Sequence, residues 1–450
     1  MIHMRYKSQS TEIASTKPDQ KAQRARVFWR TLACAATAFS IAALLIVPKE
    51  SISAADSVED HIPTGVYCCH GYANDSVSPS QAAPYVTWAS ADATGAAEDH
   101  AAGIANVYRY IDISTVYKGD HAYPLIEGGP LSGAHAMNCS GQPVTIAKPP
   151  GFLTDPTKPE TVKLLDQEIT YEYDPAFTAY FVDDIDAYRW VANGPPCDGT
   201  PPTPWHEPAA AESYAAMLGA ARIEEGGHTI VPFIIVNALS VFADKPDLHR
   251  SPLAVLTPAN VLGGMCEDCY GSNTPDALKG GVEWQDDEDL EIRTIQLHKI
   301  FWDYVRYIGN VPAARIYTFA SFMLAWDPHY SIYQTAYKPT TPGQLHVTPE
   351  TGIVAHDPTV QVKSIGELRD VGGTYVREYR RCYYRRVPIG ACAFVVNSDS
   401  VAHPAPRFAA SFRHTIALHG GMVLEGGTVS ANGPQMPATV PPLSAFILTR

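Results

Sequence analysis

The stretch Thr178–Trp190 holds the residues whose types and spacing are best suited to chemistry. An apolar and β-branched run ends there in Asp183, Asp184 and Asp186. Three acids within four residues repel one another, so a packed core gains nothing from them. A buried strand that delivers carboxylates at its C-terminal end is typical of active sites in α/β barrels. We therefore interpret this stretch as one half of a carboxylate-based hydrolase site.

A hydrolase of this kind needs a second acid, and Glu267 is the candidate. Three apolar segments are predicted as successive parallel strands that end in polar residues: 178–184 in Asp183 and Asp184, 229–237 in Asn237, and 262–267 in Glu267. Two carboxyl groups across a cleft do different work when their surroundings separate their pKa values. One stays ionised as nucleophile or base, and the other donates a proton to the leaving oxygen. Cleavage of a glycosidic bond requires this combination.

The sequence does not decide which of Asp183 and Asp184 is catalytic. Adjacent residues of a strand point to opposite faces, so only one of the two enters the barrel. Other polar and aromatic side chains near the strand ends are predicted to bind the substrate: Asp186, Asn237, Tyr188, Trp190 and Trp88. Aromatic rings at these positions would stack on the faces of sugar rings.

Two alternatives to a glycoside hydrolase remain open. The three aspartates are also a plausible calcium or other divalent-cation site, which would make the protein a metal-dependent hydrolase. A catalytically silent carbohydrate-binding protein on the same scaffold is the other alternative. Cys266 and Cys269 have the spacing of half a zinc site, but no second cysteine or histidine pair stands at ligand spacing. We predict no metal and no cofactor.

Strands and helices alternate through the middle of the chain. Predicted strands lie near residues 85–89, 105–114, 178–184, 229–237, 262–267 and 314–322, and predicted helices near 161–169, 209–225 and 288–308. Such alternation is typical of a parallel sheet, and this number of units favours closure into a TIM-like (β/α)8 barrel. The segment 115–150 is predicted to be a long loop.

The pattern changes to short strands with glycine and proline turns after about residue 370. We predict an all-β module over 375–450, with strands near 390–397, 411–418, 421–424 and 443–448. The barrel domain is predicted over 85–374, preceded by an irregular lead-in over 56–84.

Residues 1–55 are predicted to carry a targeting segment. Residues 31–47 have no charged side chain and follow a basic N-terminus. Their length lies between that of a signal peptide and a full membrane span. Ser53, Ala54 and Ala55 suit cleavage before Asp56. We expect an extracytoplasmic protein, either secreted or anchored by this segment, because the basic flank precedes the apolar run.

The charge and the cysteines agree with export. Removal of residues 1–55 takes away eight Lys and Arg and three Asp and Glu, and leaves 25 basic against 44 acidic residues. So acidic a surface argues against nucleic acid and against anionic lipid, so the only membrane contact we expect is through an N-terminal anchor. Eight cysteines then remain, an even number that favours disulfides in an oxidising compartment.

The strand ends resemble those of known families. Phe181–Asp186, Val236–Asn237 and Glu267 resemble the signatures of glycoside-hydrolase-like TIM barrels. These include the polygalactosaminidase-type enzymes and a related "hypothetical glycosyl hydrolase" group of exported proteins. The resemblance implies a catalytic pair formed by an Asp after the fourth strand, here Asp183 or Asp184, and a Glu after the sixth, here Glu267. It also implies a polysaccharide or oligosaccharide substrate and a β module after the barrel.

Overall fold

The computed structural model describes residues 60–66, 77–138, 140–147, 150–185, 209–239, 251–271, 277–306, 311–336 and 347–450. The chain divides into two compact units, Met1–Ser57 and Val58–Arg450, and every described residue belongs to the second. The predicted targeting segment 31–47 and the predicted site residues Asp186, Tyr188 and Trp190 lie outside the described residues. None of the described helices is long and apolar enough to cross a membrane.

A curled sheet of seven parallel strands forms the centre of the fold. The strands are β1 (Trp88–Ser90), β2 (Asn106–Asp112), β3 (Ala179–Asp183), β4 (Ile234–Asn237), β5 (Val261–Glu267), β6 (Ile300–Arg306) and β7 (Ser331–Ala336). Their order in the sheet equals their order in the chain, and each neighbouring pair is parallel. This sheet fits the predicted α/β barrel.

A helix lies in every connection between consecutive strands, as parallel pairing requires. The helices are α1 (Ala93–Ala102), α2 (Pro159–Tyr171), α3 (Ala209–Ala220), α4 (Ser251–Val255), α5 (Gly281–Gln296) and α6 (Pro312–Ala325). Local signals mark their ends. The Asp92 side chain accepts a hydrogen bond from the backbone nitrogen of Gly95 and caps α1. Proline occupies the first turn of α2 and of α6.

Eight strands were expected, and the described residues supply seven. No eighth strand among them closes the barrel. Instead, Thr64 makes a single parallel bridge to Tyr333 on β7, and Gly65 makes one to Trp88 on β1. This two-residue segment therefore contacts both edges of the sheet. Glycine is required there, because a Cβ atom at position 65 would lie 2.0 Å from the ring of Trp302.

Two predicted elements of the barrel region have the wrong type. The segment 288–308, predicted as one helix, contains the end of α5 and then β6. His298 between them has a φ of 55°, which no α-helix continues through. The segment 314–322, predicted as a strand, belongs to α6. All of its residues from Tyr317 to Ala325 are buried, so it lacks the polar stripe by which a surface helix is recognised.

Short elements extend the connections. The segment 115–150, predicted as a loop, contains most of a small antiparallel sheet of Thr115–Tyr117, Thr145–Ala147 and Pro150–Leu153 and a helical turn at Tyr123–Ile126. A second turn lies at Pro79–Ala82, before β1. Ile223–Glu225 and His228–Ile230 form a hairpin before β4.

The C-terminal part is antiparallel, as the sequence predicted. Its five-stranded sheet contains β8 (Ile353–Pro358), β9 (Tyr375–Tyr384), β10 (Val387–Asn397), β11 (His414–Thr415) and β12 (Ser444–Thr449), in the order β8-β9-β10-β12-β11. Two further pairs join His403–Pro404 to Thr439–Val440 and Ala417–His419 to Thr428–Ser430. The predicted strand 421–424 is instead a 3₁₀ turn at Val423–Glu425. A disulfide between Cys382 and Cys392 links β9 to β10.

Buried contacts hold this β module against α6. The Tyr379 hydroxyl donates to the carbonyl oxygen of Met323 at 2.7 Å, and the ring of Phe394 packs against that of Phe319. An ion pair between Arg315 and Glu350, both almost completely buried, ties α6 to the segment before β8. The β module is therefore joined to the barrel by a packed interface.

Candidate active site

Alternation along the strands decides which side chains enter the barrel. Phe181 and Met265 belong to the apolar cluster inside the barrel, whereas Cys266 belongs to the cluster on the helix side. Asp183 lies two residues beyond Phe181, and Glu267 lies two residues beyond Met265. Both acids therefore continue the inward series at the C-terminal ends of β3 and β5. We call this end of the sheet the mouth.

The neighbouring acid Asp184 leaves the strand. Its φ is 57°, in the left-handed region that Asp tolerates better than most residues. Its backbone nitrogen donates a hydrogen bond to Oδ1 of Asp183 at 2.8 Å. Of the two adjacent acids, the structure thus puts Asp183 on the inward face.

Asp183 accepts hydrogen bonds from two side chains on neighbouring strands. The Tyr110 hydroxyl, on β2, donates to Oδ2. The Asn237 amide, on β4, donates to Oδ1 at 2.8 Å. With the backbone nitrogen of Asp184, three donors are aimed at one carboxylate that is 6% exposed. Donors in this number stabilise its negative charge.

Asn237 also joins Asp183 to Glu267. The same amide nitrogen that bonds Asp183 donates to Oε2 of Glu267 at 3.1 Å. Because one nitrogen makes both bonds, the two carboxylate oxygens are at most about 6 Å apart. The structure therefore brings together three of the residues that the sequence singled out, from three adjacent strands.

A tightly held turn follows Glu267 at the end of β5. Cys266 and Cys269, on either side of Glu267 along the chain, are joined by a disulfide and are fully buried. Asp268 and Tyr270 both have positive φ, of 70° and 58°. The Tyr270 backbone nitrogen donates to Oδ2 of Asp287 on α5 at 3.1 Å. This turn fixes the backbone at the end of β5, where Glu267 is half-buried.

Tyr110 is a site residue that the sequence reasoning missed. Burial raises the pKa of its hydroxyl far above the ordinary value, and the nearby charge of Asp183 raises it further. The hydroxyl therefore stays protonated and remains a donor to Asp183. Tyr108, Tyr110 and Asp112 form an inward aromatic and polar series along β2, and that alternation was the signal available in the sequence.

Trp88, predicted to stack on substrate, lies inside the barrel and not at the mouth. It is 7% exposed and packs inside the barrel against Trp302, with ring centroids 6.4 Å apart. A cleft of about 460 Å³ is lined by Tyr110, whereas Asp183, Asn237 and Glu267 do not line it. Its other lining residues are mainly tyrosines and acids: Ile111, Asp112, Tyr117, Gly119, Asp120, His121, Glu168, Tyr171 and Glu172.

The His121 side chain contacts two other residues that line this cleft, Glu168 and Tyr171. Its Nδ1 lies 2.6 Å from Oε1 of Glu168, and its ring stacks on Tyr171 with centroids 3.8 Å apart. Burial raises the pKa of Glu168, and the bond from His121 opposes that rise. Aromatic faces beside polar groups are a surface suited to sugars.

One group of possible metal ligands converges among the described residues. The sulfur atoms of Cys266 and Cys269 and a carboxylate oxygen of Asp287 lie within 4.8 Å of one another. The two sulfurs are bonded to each other, and metals bind thiolates rather than disulfides. The predicted three-aspartate cation site includes Asp186, which lies outside the described residues, so that site stays a prediction.

Comparison of the sequence with protein-family profiles and with curated proteins gives no match. Among solved structures, the glycoside hydrolase domain of PelA from Pseudomonas aeruginosa is 12% identical over 62% of this chain and 94% of that chain, with a TM-score of 0.36. The α-galactosidase TtGalA from Thermus thermophilus is 12% identical over 47% of this chain and 43% of that one, with a TM-score of 0.27.

The glucosidase II α subunit is 9% identical over 87% of this chain and 45% of that chain, with a TM-score of 0.41. These three structures have glycosidase names. At such identities and scores, the likeness assigns this chain to no family.

Proposed function

We propose that this protein is an exported glycoside hydrolase that cleaves an O-glycosidic bond with Asp183 and Glu267. The observation that carries the proposal is the Asn237 amide bonded to both carboxylates at the mouth of a parallel sheet. Active sites in α/β barrels lie at this end of the strands. If the segment 64–65 is counted as the first position around the sheet, Asp183 follows the fourth strand and Glu267 the sixth.

The two carboxyl groups take different roles, and the donors aimed at Asp183 favour the charged role for this residue. Asp183, with three donors, is the charged group that attacks or stabilises the anomeric carbon. Glu267 donates the proton to the leaving oxygen and later accepts one from water. A separation of at most about 6 Å is closer to the about 5–5.5 Å of retaining enzymes than to the about 6.5–9.5 Å of inverting ones. We therefore propose a retaining reaction.

Tyr110 and Asn237 position the pair. Tyr110 holds Oδ2 of Asp183, and Asn237 holds Oδ1 while bridging to Glu267. Neither residue exchanges a proton in this scheme. Their donors are already oriented before substrate arrives, so the enzyme spends no reorganisation energy at that step.

The substrate is a polysaccharide or oligosaccharide that occupies the cleft beside Tyr110. The tyrosine faces of the cleft stack on sugar rings, and its carboxylates accept bonds from sugar hydroxyls. Nucleic acid is disfavoured by the net charge of −14. The membrane is involved only through the N-terminal segment 31–47, as signal peptide or anchor.

The test is a screen of purified residues 56–450 against polysaccharides, alongside Asp183→Asn and Glu267→Gln. Each substitution should lower kcat by about 10²–10⁴-fold, because each removes a group that exchanges a proton or charge with substrate. Asp184→Asn is the matched control, since Asn also tolerates the left-handed backbone and the Asp184 nitrogen bond to Asp183 is retained.

Sugar binding without hydrolysis in the wild type would instead support the silent binding protein. Hydrolysis that persists unchanged in both Asp183→Asn and Glu267→Gln would remove the proposed pair. The location is tested by N-terminal sequencing of protein recovered outside the cytoplasm. A start at Asp56 indicates cleavage, and a retained N-terminus indicates an anchor.

A further inference from the structure

A second group of acids lies behind the mouth, on the helix side of the same strands. Asp287, Glu288 and Glu291 on α5 and Asp303 on β6 are all 0% exposed. We call these four residues the acid cluster. Asp303 pairs in register with Cys266, the residue that precedes Glu267. The acid cluster is therefore next to the proposed active site through the backbone of β5.

Most oxygens of the acid cluster have no hydrogen-bond donor among the described residues. Both oxygens of Glu288 and both of Asp303 lack a partner in the described structure. Oδ2 of Asp287 accepts from the Lys279 ammonium at 3.0 Å, and Oε2 of Glu291 accepts from the Tyr270 hydroxyl at 2.6 Å. Burial of ionised carboxylates without donors is among the most costly arrangements in a protein.

The positive charges nearby are too few to balance four carboxylates. Lys279 and Arg377, both nearly buried, are the two cations that face the acid cluster from the described elements. Arg377 is on β9 and also donates to the carbonyl oxygens of Leu324 and Trp326. Four acids against two cations leave two negative charges. The other titratable groups that face the acid cluster are acids and tyrosines: Asp268, Tyr270, Glu283, Tyr317, Tyr333, Tyr375 and Tyr379, with Asp327, Asp399, Glu350, Arg315 and Arg369 beyond the tyrosines.

A divalent ion or two protons would supply the missing charge. An ion needs several ligand oxygens within one coordination shell. In the described residues, the one convergent group within 4.8 Å contains Asp287 and the two disulfide sulfurs, and no three carboxylates of the acid cluster meet that condition. The geometry therefore favours protons.

We propose that the acid cluster is a proton-operated latch. At least two of its four carboxyl groups keep their protons at neutral pH, and loss of these protons at higher pH makes the buried carboxylates repel one another between α5 and β6. The turn after Glu267 is bonded to α5 through Tyr270, which contacts Asp287 and Glu291, so repulsion that moves α5 away from β6 also loosens this turn. The latch needs no particular substrate and holds whether or not the protein is a glycosidase.

The directions of the pKa shifts in the acid cluster agree with bound protons. Burial raises the pKa of Asp287 to about 6 although Lys279 opposes it. Burial, and then the neighbouring carboxylates, raise the pKa values of Glu288 and Asp303 well above their ordinary range. Burial likewise raises the pKa of Glu291. Raised pKa values mean that the folded chain binds more protons than the unfolded chain.

The resulting stability is fully present below the ordinary carboxyl pKa of about 4 and is lost as the pH rises through about 6 and above. Most proteins show the opposite behaviour and become less stable when the pH is lowered. A rise in stability from pH 8 to pH 5 is therefore the signature of the latch.

The experiment measures proton release when the full-length chain unfolds at pH 7, by calorimetry in two buffers of different ionisation enthalpy. We expect the release of about two protons per molecule and a Tm at least about 5 °C lower at pH 8 than at pH 5. This measurement on the wild type needs no variant. The double variant Glu288→Gln/Asp303→Asn keeps shape without charge, and it should abolish most of the release and flatten the pH dependence.

Asp289→Asn is the matched control. Asp289 follows Glu288 on the same helix, but it is partly exposed and pairs with Arg293 at 2.8 Å. Its variant should release as many protons as the wild type. Release of fewer than one proton by the wild type overturns the latch. A stoichiometric divalent metal that survives purification, with stability lost to a chelator, also overturns it in favour of an ion.

Discussion

Two groups of carboxylates lie on opposite sides of one sheet, and they differ in the number of hydrogen bonds that they accept. At the mouth, Asp183 accepts three hydrogen bonds and shares the Asn237 amide with Glu267. Behind the sheet, Glu288 and Asp303 are fully buried and accept none from the residues that the structure describes. The same residue types therefore have different surroundings on the two faces, because the neighbouring elements supply hydrogen-bond donors at the mouth and few behind the sheet.

The largest expected effect comes from making the same chemical change on both faces. Glu267→Gln should lower kcat by about 10²–10⁴-fold and leave the pH dependence of Tm as in the wild type. Glu288→Gln should leave kcat unchanged and reduce that pH dependence. Activity assays and thermal melts at pH 5 and pH 8 on both variants check this prediction. The acid cluster is expected to be protonated at pH 5. A loss of activity in Glu288→Gln at this pH would contradict the prediction that the two groups of carboxylates act independently.

A smaller effect is expected from removal of the shared donor at the mouth. Asn237→Leu keeps most of the volume but breaks the bonds to Asp183 and Glu267. Bonds to charged groups are worth about 1.5–3 kcal/mol, so kcat should fall about 10- to 100-fold. KM should change much less, since Asn237 acts on the catalytic pair. Steady-state kinetics separate the two constants, and a change confined to KM would show that Asn237 contacts substrate instead.

The smallest effect on rate is expected for Tyr110→Phe. Asp183 loses the hydrogen bond from the Tyr110 hydroxyl but keeps those from Asn237 and from the backbone nitrogen of Asp184, so kcat should fall about 10-fold in steady-state assays.

Tyr108→Phe is the control for this prediction. Tyr108 points into the barrel from the same strand, but its hydroxyl donates to the carbonyl oxygen of Val66 at 2.7 Å. Its variant should keep kcat near the wild-type value even if it is less stable. Equal losses of kcat in the two variants would mean that Tyr110 acts only through packing.

Much of the mouth was predictable because sheet order equals chain order. Polar residues at the ends of β3, β4 and β5 therefore had to become neighbours, and Asp183, Asn237 and Glu267 do. Tyr110 was missed because a tyrosine in a strand is usually a core residue, and its value here depends on the carboxylate one strand away. Helix α6 was mistaken for a strand because both of its sides are covered, by the sheet and by the β module.

The sequence by itself determined the barrel-like alternation, the antiparallel C-terminal part and the residues at the strand ends, because these depend on local periodicity and on chain order. Only the tertiary structure decided that Asp183 rather than Asp184 faces inward, since one residue of left-handed backbone ends the strand between them. It also decided that Asp287, Glu288 and Glu291 are buried. On an isolated helix they would form a solvated acidic face, and their different chemistry arises from β6 and β9 packing over them.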